Sequence, residues 1–195
     1  MFRKISTAAA LAAVALAVPA SASAESFGSK LTPNIQPSNA GVKGHPCEQG
    51  NPGSCTRVMM EGYTNGSGVG SPKAPHDGTI DKLKIIAQGP GKFRPALAKA
   101  KPNAEQARLT YRGSQIEYDG QQGGGMDYDI ETFDVNIDVD KGEYLAIESR
   151  KTSFLRCSSG GSNQLLFQPA LSLGGMFEPA SDTDGCWLLL EAVYE

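Results

Sequence analysis

Hydrophobic and polar residues alternate most regularly in the segment 130–139, past the middle of the chain. Side chains at alternate positions of an extended strand share one face, so one face here would be apolar and the other mainly acidic. The apolar positions are Phe133, Val135, Ile137 and Val139, and the polar positions between them are Asp134, Asn136 and Asp138. This period of two predicts a β-strand with one buried face and one solvated face.

Short apolar runs separated by Gly, Pro, Asn and Asp lie on both sides of that segment, from about residue 55 onwards. Such runs, bounded by turn-forming residues, predict about eight short strands. The strands are expected at 56–61, 79–87, 92–101, 107–112 together with 115–118, 130–139, 143–148, 163–168 and 186–194.

The run 186–194 is apolar on both faces, which favours a central strand over an edge strand. The one helix-like stretch, 96–101, is short and lies between Pro95 and Pro102, so no long helix is expected. Short strands with Gly- and Pro-rich turns predict an all-β fold. We expect an antiparallel β-sandwich of the jelly-roll type.

The N-terminal residues 1–24 have the layout of a secretory signal peptide. Arg3 and Lys4 precede an apolar run at 8–18, and the small residues 22–24 form an A-x-A cleavage site. The apolar run is far shorter than the roughly 20 residues of a membrane-spanning helix. We therefore expect cleavage after Ala24 and a secreted protein that is not inserted in the membrane. Residues 25–54 would form an extended N-terminal arm and disulfide loop, and residues 55–195 the β-sandwich domain.

All four cysteines, Cys47, Cys55, Cys157 and Cys186, follow the predicted cleavage site. An even number in an exported chain predicts two disulfides, with three possible pairings. The turn-forming segment 48–54 favours Cys47–Cys55, which leaves Cys157–Cys186. The alternative is a zinc site, which the lack of paired C-x-x-C spacing and the oxidising compartment disfavour.

The charge balance limits the partners that this protein would have. The chain contains 21 acidic and 18 basic residues, and two of the basic residues lie in the predicted signal peptide. An acidic balance argues against nucleic acids and anionic lipids as partners, because both require a basic surface. Neutral ligands, cations and other proteins remain as partner classes.

Several segments resemble secreted actinobacterial proteins, most of which have no characterised function. The resemblance lies in Pro75-His76-Asp77-Gly78-Thr79-Ile80, in Phe93-Arg94, in the turn VDKGEYL at 139–145 and in the strand WLLLEA at 187–192. It covers roughly residues 55–195 and implies a jelly-roll β-sandwich. These segments are turns and strands, so the resemblance implies no catalytic residues.

Asp138 and Asp140 are the candidate metal ligands of the sequence. They belong to a segment DVDKG at 138–142 that resembles the opening of a calcium loop, and carboxylate oxygens are the ligands that calcium prefers. The segment lacks a third alternate ligand and a closing Glu, so it is not an EF-hand. The alternative interpretation, a solvated acidic strand face, is favoured by the strand periodicity. No other cofactor is expected.

Catalytic motifs are weak. His45 and His76 are the two histidines, and His76 precedes Asp77, but no G-x-S-x-G elbow accompanies them. A His-Asp neighbour pair is more often a turn than part of a catalytic triad. No catalytic residue is therefore assigned.

The favoured hypothesis is a non-catalytic, secreted β-sandwich that binds an extracellular or cell-envelope polysaccharide. The first alternative is a carboxylate-dependent glycoside hydrolase using acids of the segment 127–143, which needs two of them across a cleft. The second is a structural envelope protein without a small ligand. A flat sheet face bearing Tyr111, Tyr118, Tyr128 or Tyr144 would favour the binding protein, although strand packing with the hydroxyl at the surface is the stronger interpretation of these tyrosines.

Overall fold

A computed structural model describes residues 25–38, 47, 54–64, 70–121, 127–157 and 161–194. The predicted signal peptide at 1–24 and His45 lie outside the described residues. None of the described helices is long and apolar enough to cross a membrane.

Within the described residues the chain forms fourteen strands and one short 3₁₀ helix at Pro102–Ala104. The first seven strands are β1 (Ser26–Gly28), β2 (Cys55–Met59), β3 (Gly78–Ile85), β4 (Gly91–Lys101), β5 (Gln106–Arg112), β6 (Ile116–Tyr118) and β7 (Glu131–Val139). The others are β8 (Tyr144–Ser149), β9 (Leu155–Cys157), β10 (Gln164–Phe167), β11 (Glu178–Pro179), β12 (Asp182–Asp184), β13 (Cys186–Leu188) and β14 (Leu190–Tyr194).

The all-β prediction is confirmed, but the predicted strand number of about eight is too low. The additional strands β1, β9, β11 and β12 have only two or three residues each, too few for alternation to be recognised. The predicted strand 186–194 is divided into β13 and β14 at Leu189, where the chain changes partners: its amide donates to the carbonyl of Phe154, beside β9, at 2.8 Å, and its carbonyl accepts from the amide of Ile86, beside β3, at 3.3 Å. These two strands belong to different sheets.

The smaller of the two main sheets has the antiparallel order β1–β14–β3–β7. Strand β14 is central, as predicted for the run 186–194, whereas β13, the first part of that run, belongs to a two-stranded sheet with β9. Along β7, Ile137 and Val139 are buried, whereas Asp134 and Asp138 are exposed, which confirms the predicted alternation. The N-terminal arm contributes β1, which pairs with β14.

The larger sheet has the antiparallel order β11–β5–β4–β8–β2–β10–β12, and β6 also pairs with β4. Its inner face packs on the smaller sheet in one apolar core that includes Ile80, Leu83, Phe93, Leu97 and Leu190. Each such side chain contributes about 1.5–3 kcal/mol of stability by its removal from water. The antiparallel, two-sheet character of the prediction is therefore confirmed.

The outer face of the larger sheet carries a second apolar cluster, which includes Val58, Ala98 and Leu165. Part of this face is covered by residues 168–177, which we call the strap. Leu171 of the strap is buried; its amide donates to Thr56 Oγ1 at 3.0 Å and its carbonyl accepts from Arg112 Nη2 at 2.7 Å. The strap thus covers part of an apolar surface, and Leu171 connects it to Thr56 of β2 and Arg112 of β5.

Both predicted disulfides are present, Cys47–Cys55 and Cys157–Cys186. The second joins residues that lie directly opposite each other on β9 and β13. All four cysteines are among the described residues, and each belongs to a disulfide. The two disulfides indicate an oxidising environment.

Candidate functional site

The acidic residues predicted as calcium ligands pair with neighbouring side chains. Asp138 Oδ1 accepts a hydrogen bond from Thr79 Oγ1 at 3.3 Å, and Asp140 Oδ2 lies 3.1 Å from Lys99 Nζ. Nowhere among the described residues do three or more His, Cys, Asp or Glu side chains form a group able to hold a metal ion. The expected calcium site at Asp138 and Asp140 stays untested, and these contacts favour the alternative interpretation, a solvated strand face.

Other acids of the segment 127–143 also have partners. Asp134 Oδ1 lies 3.1 Å from Lys82 Nζ across the strand pair β3–β7, and buried Glu143 accepts from the amide of Asp140 at 3.0 Å. The described part of the structure has three clefts on its surface with volumes of about 520 to 880 Å³, and none of these three is lined by two carboxylates of this segment. The arrangement that would have favoured a glycoside hydrolase is not seen in these clefts.

The four candidate tyrosines do not form a flat binding face. Tyr118 and Tyr144 are each 4% exposed, and Tyr111 and Tyr128 are half-buried against the core between the sheets. Their rings pack against apolar neighbours, so strand packing is the correct interpretation for these residues.

His76 lies at the edge of the smaller sheet, before β3. Its Nε2 is 3.0 Å from Glu25 Oε2, its Nδ1 is 2.8 Å from the carbonyl oxygen of Asp77, and its ring centroid is 4.5 Å from that of Tyr194. The Asp77 carbonyl and the Glu25 carboxylate raise the pKa of His76. Burial raises the pKa of Tyr194 to about 12.

The carboxylate of Asp77 does not orient the imidazole, because its Oδ1 accepts from the amide of Lys141 at 2.6 Å. The neighbour pair His76-Asp77 therefore forms a turn, and His76 links the start of β1 to the end of β14. This geometry fits a structural role for His76.

The largest of the three clefts, about 880 Å³, lies at the end of the sandwich where β4 begins and β8 ends. Its lining residues come from separate parts of the chain: Ser54, the segment 88–94, Gln115, Tyr118, and the segment 148–151 with Ser153. Strand pairing between β4 and β8 brings these segments together. We call this cavity the end cleft.

The back wall of the end cleft is held by a network around Ser153. Its hydroxyl donates to the carbonyl of Gly89 and lies 3.1 Å from Tyr118 Oη, and its carbonyl accepts from the amide of Gln88 at 3.0 Å. Gly91 is required here because a Cβ at this position would overlap Tyr118 Oη. The turn 88–91 is thereby fixed against the loop that follows β8.

The floor of the end cleft contains one carboxylate, Glu148 of β8. Its Oε2 is 2.6 Å from Arg112 Nε, and its Oε1 accepts from Ser54 Oγ at 2.9 Å. The side chains of Glu148 and Arg112 are 13% and 27% exposed. Both oxygens are engaged, and Arg112 neutralises the charge.

Four cations are among the described residues that line the end cleft: Lys92, Arg94, Arg150 and Lys151. Lys92 Nζ lies 2.6 Å from Glu117 Oε1, and its hydrogen bond lowers the pKa of Glu117. Arg94, Arg150 and Lys151 are exposed and make no ion pair with any other described residue. The end cleft therefore has a positive rim, although the chain has a net charge of −3.

The described side chains of this cleft offer hydrogen-bonding groups and charge. General acid–base hydrolysis of a glycoside needs two carboxyl groups, and Glu148 is the one carboxylate among the described lining residues. Nucleophilic catalysis needs a base beside a hydroxyl, and the described lining residues include no histidine. Hydrogen-bonding groups and cations remain.

Sequence reasoning missed the end cleft. Two short basic pairs, Lys92 with Arg94 and Arg150 with Lys151, were the available signal in an acidic chain. They are separated by more than fifty positions, and each pair alone is typical of an exposed strand or turn. Only the pairing of β4 with β8 shows that they share a cavity.

Comparison of the chain with protein-family models, with curated proteins and with solved structures finds no match to any of them.

Proposed function

We propose that this protein is a secreted, non-catalytic β-sandwich of the jelly-roll type that binds an extracellular or cell-envelope polysaccharide in the end cleft. The observation that carries the proposal is the end cleft itself, with about 880 Å³ of space and a lining of hydrogen-bonding side chains held in place. Ligand cavities span about 300–1,000 Å³, so a segment of a few sugar residues is of suitable size.

The fold supports the jelly-roll part of the proposal. Two antiparallel sheets pack on each other, and the pairs β2–β8, β3–β7 and β4–β5 are nested along the chain. Nested antiparallel pairs in two packed sheets are typical of Greek-key and jelly-roll sandwiches. Secretion is supported by the predicted signal peptide at 1–24 together with the two disulfides.

The non-catalytic part of the proposal is supported by the contacts of Glu148. A carboxyl group that acts in catalysis must reach the substrate with one of its oxygens. Arg112 Nε lies 2.6 Å from one oxygen of Glu148 and Ser54 Oγ donates to the other at 2.9 Å, so both oxygens are occupied by neighbouring side chains. The residue therefore holds the floor of the end cleft.

Co-sedimentation tests this proposal. The full chain, collected after export, is mixed with insoluble polysaccharides and with purified cell walls, and the bound fraction is measured. The exposed cleft residues Gln88 and Gln115 are each replaced by Trp to obstruct the end cleft, and exposed Gln36, which lies outside it, receives the same substitution as a control.

We expect retention on at least one polymer by the unmodified protein and by the variant Gln36→Trp, and loss of retention in Gln88→Trp and Gln115→Trp. If no polymer retains the unmodified protein, the binding function is wrong. If the cleft variants are retained as well as the control, the end cleft is not the binding site.

A further inference from the structure

The end cleft has a positive rim because its carboxylate is already neutralised. Arg94 of β4 lies directly opposite Glu148 of β8, the position from which an arginine would ordinarily pair with that acid. Arg112 and Ser54 occupy the two oxygens of Glu148 instead. Arg94 is therefore left at the rim with its charge uncompensated by any described residue.

Arg150 and Lys151 add to this charge from the loop after β8. Both side chains are exposed and line the same cavity as Arg94. Cations that line one concave surface and have no partners attract anions at long range. A guanidinium group also binds carboxylate, phosphate or sulfate groups through paired hydrogen bonds.

The aromatic residues of the end cleft give a second, independent indication. Neutral sugars are commonly held by stacking on an exposed aromatic ring, which offers a flat apolar face. The aromatic rings that line the end cleft are those of Phe93 and Tyr118, which are 1% and 4% exposed. No ring among the described lining residues is open for stacking, so charge is the recognition chemistry that the cleft offers.

We propose that the ligand is an acidic polysaccharide whose anionic groups are bound by Arg94, Arg150 and Lys151. This inference rests on the proposed polysaccharide-binding function and adds the chemical class of the ligand. The anionic group is a carboxylate, sulfate or phosphate, and the test below distinguishes these sources.

Binding to beads that carry defined polymers tests the inference. The polymers are polygalacturonate for carboxylate groups, dextran sulfate for sulfate groups, wall teichoic acid for phosphate groups, and neutral dextran. The cleft variant R94Q/R150Q/K151Q is compared with the control K30Q/K82Q/K141Q, which removes the same number of exposed cations outside the end cleft. Circular dichroism and melting curves establish that both variants are folded.

We expect at least one anionic polymer to bind more tightly than dextran, with an affinity that falls as salt is raised. The cleft variant should lose about tenfold or more in affinity, because each charge-assisted hydrogen bond contributes strongly to binding. The control should stay within about twofold, because exposed charges away from the site act weakly through salt solution.

Two results would contradict different parts of the hypothesis. Equal binding of dextran and the anionic polymers, or equal affinities of the two triple variants, overturns the anionic ligand class and leaves polysaccharide binding in place. Failure of every polymer, charged or neutral, to bind the unmodified protein overturns the proposed function itself.

Discussion

The acidic strand β7 and the end cleft are both rich in exposed charge, but they differ in how the charge is compensated. Along β7 and the turn after it, Asp134 pairs with Lys82 and Asp140 with Lys99. At the end cleft, Arg94, Arg150 and Lys151 have no ion-pair partner among the described residues. The acids are conspicuous in the sequence, whereas the cations are scattered.

This difference shows that charge density along a sequence is not a measure of charge available to a ligand. Exposed cross-strand ion pairs contribute about 0–1 kcal/mol each, and each pair also cancels most of its own field. Uncompensated cations in a concave surface keep their field. The site of binding is therefore expected at the end cleft and not on β7.

The largest effect on stability and on polymer binding is expected from removing the carboxylate of Glu148, which neutralises Arg112. In Glu148→Gln, the free energy of unfolding should fall by about 1–3 kcal/mol, because the partly buried Arg112 loses its charged partner. The affinity for an anionic polymer should rise, because the end cleft becomes more positive. Urea unfolding and bead binding measure the two quantities.

Asp134→Asn is the matched control on β7, where the carboxylate is exposed and Lys82 is half-exposed. Its free energy of unfolding should change by less than about 1 kcal/mol, and its polymer affinity should stay the same. If Glu148→Gln and Asp134→Asn lose equal stability and bind the polymer equally, the end cleft and β7 do not differ in how their charges are compensated.

A smaller effect on stability is expected from His76, which forms an ion pair with Glu25 only when its imidazole is protonated. The folded protein raises the pKa of His76 above its ordinary value of 6.5. The stabilising contribution should therefore be full below pH 6.5 and be lost as the pH rises through the folded-state pKa.

Melting temperatures of the unmodified protein and of His76→Gln, measured from pH 5 to pH 9, check this prediction. The stability advantage of the unmodified protein should shrink as the pH rises. An advantage that grows with pH would show that the neutral imidazole is the form that stabilises the link between β1 and β14.

The smallest effect is expected from calcium. Asp138 and Asp140 have Thr79 and Lys99 as partners, and the described residues contain no group of three or more metal-ligating side chains. Melting temperatures in calcium and in EDTA should therefore agree. A melting temperature that is higher in calcium than in EDTA for the unmodified protein, but equal in both for D138N/D140N, would restore the calcium interpretation of this segment.

The sequence by itself determined the local features of this protein. The alternation of 130–139 predicted strand β7 and its buried face, and the turn-forming segment 48–54 favoured the correct pairing of Cys47 with Cys55. These features depend on neighbouring residues, because strand periodicity and turn chemistry act over a few positions. The short strands and the break at Leu189 could not be found in this way, because long-range hydrogen bonds create them.

Only the tertiary structure decided which charges are paired. Glu148 and Arg112 are far apart in the sequence, and Arg94 is equally well placed by strand pairing to take the same carboxylate. Whether Arg112 or Arg94 pairs with Glu148 depends on how β2, β4, β5 and β8 lie side by side in one sheet. That arrangement is set by the packing of the whole apolar core, since burial of distant segments against each other supplies the dominant free energy of folding.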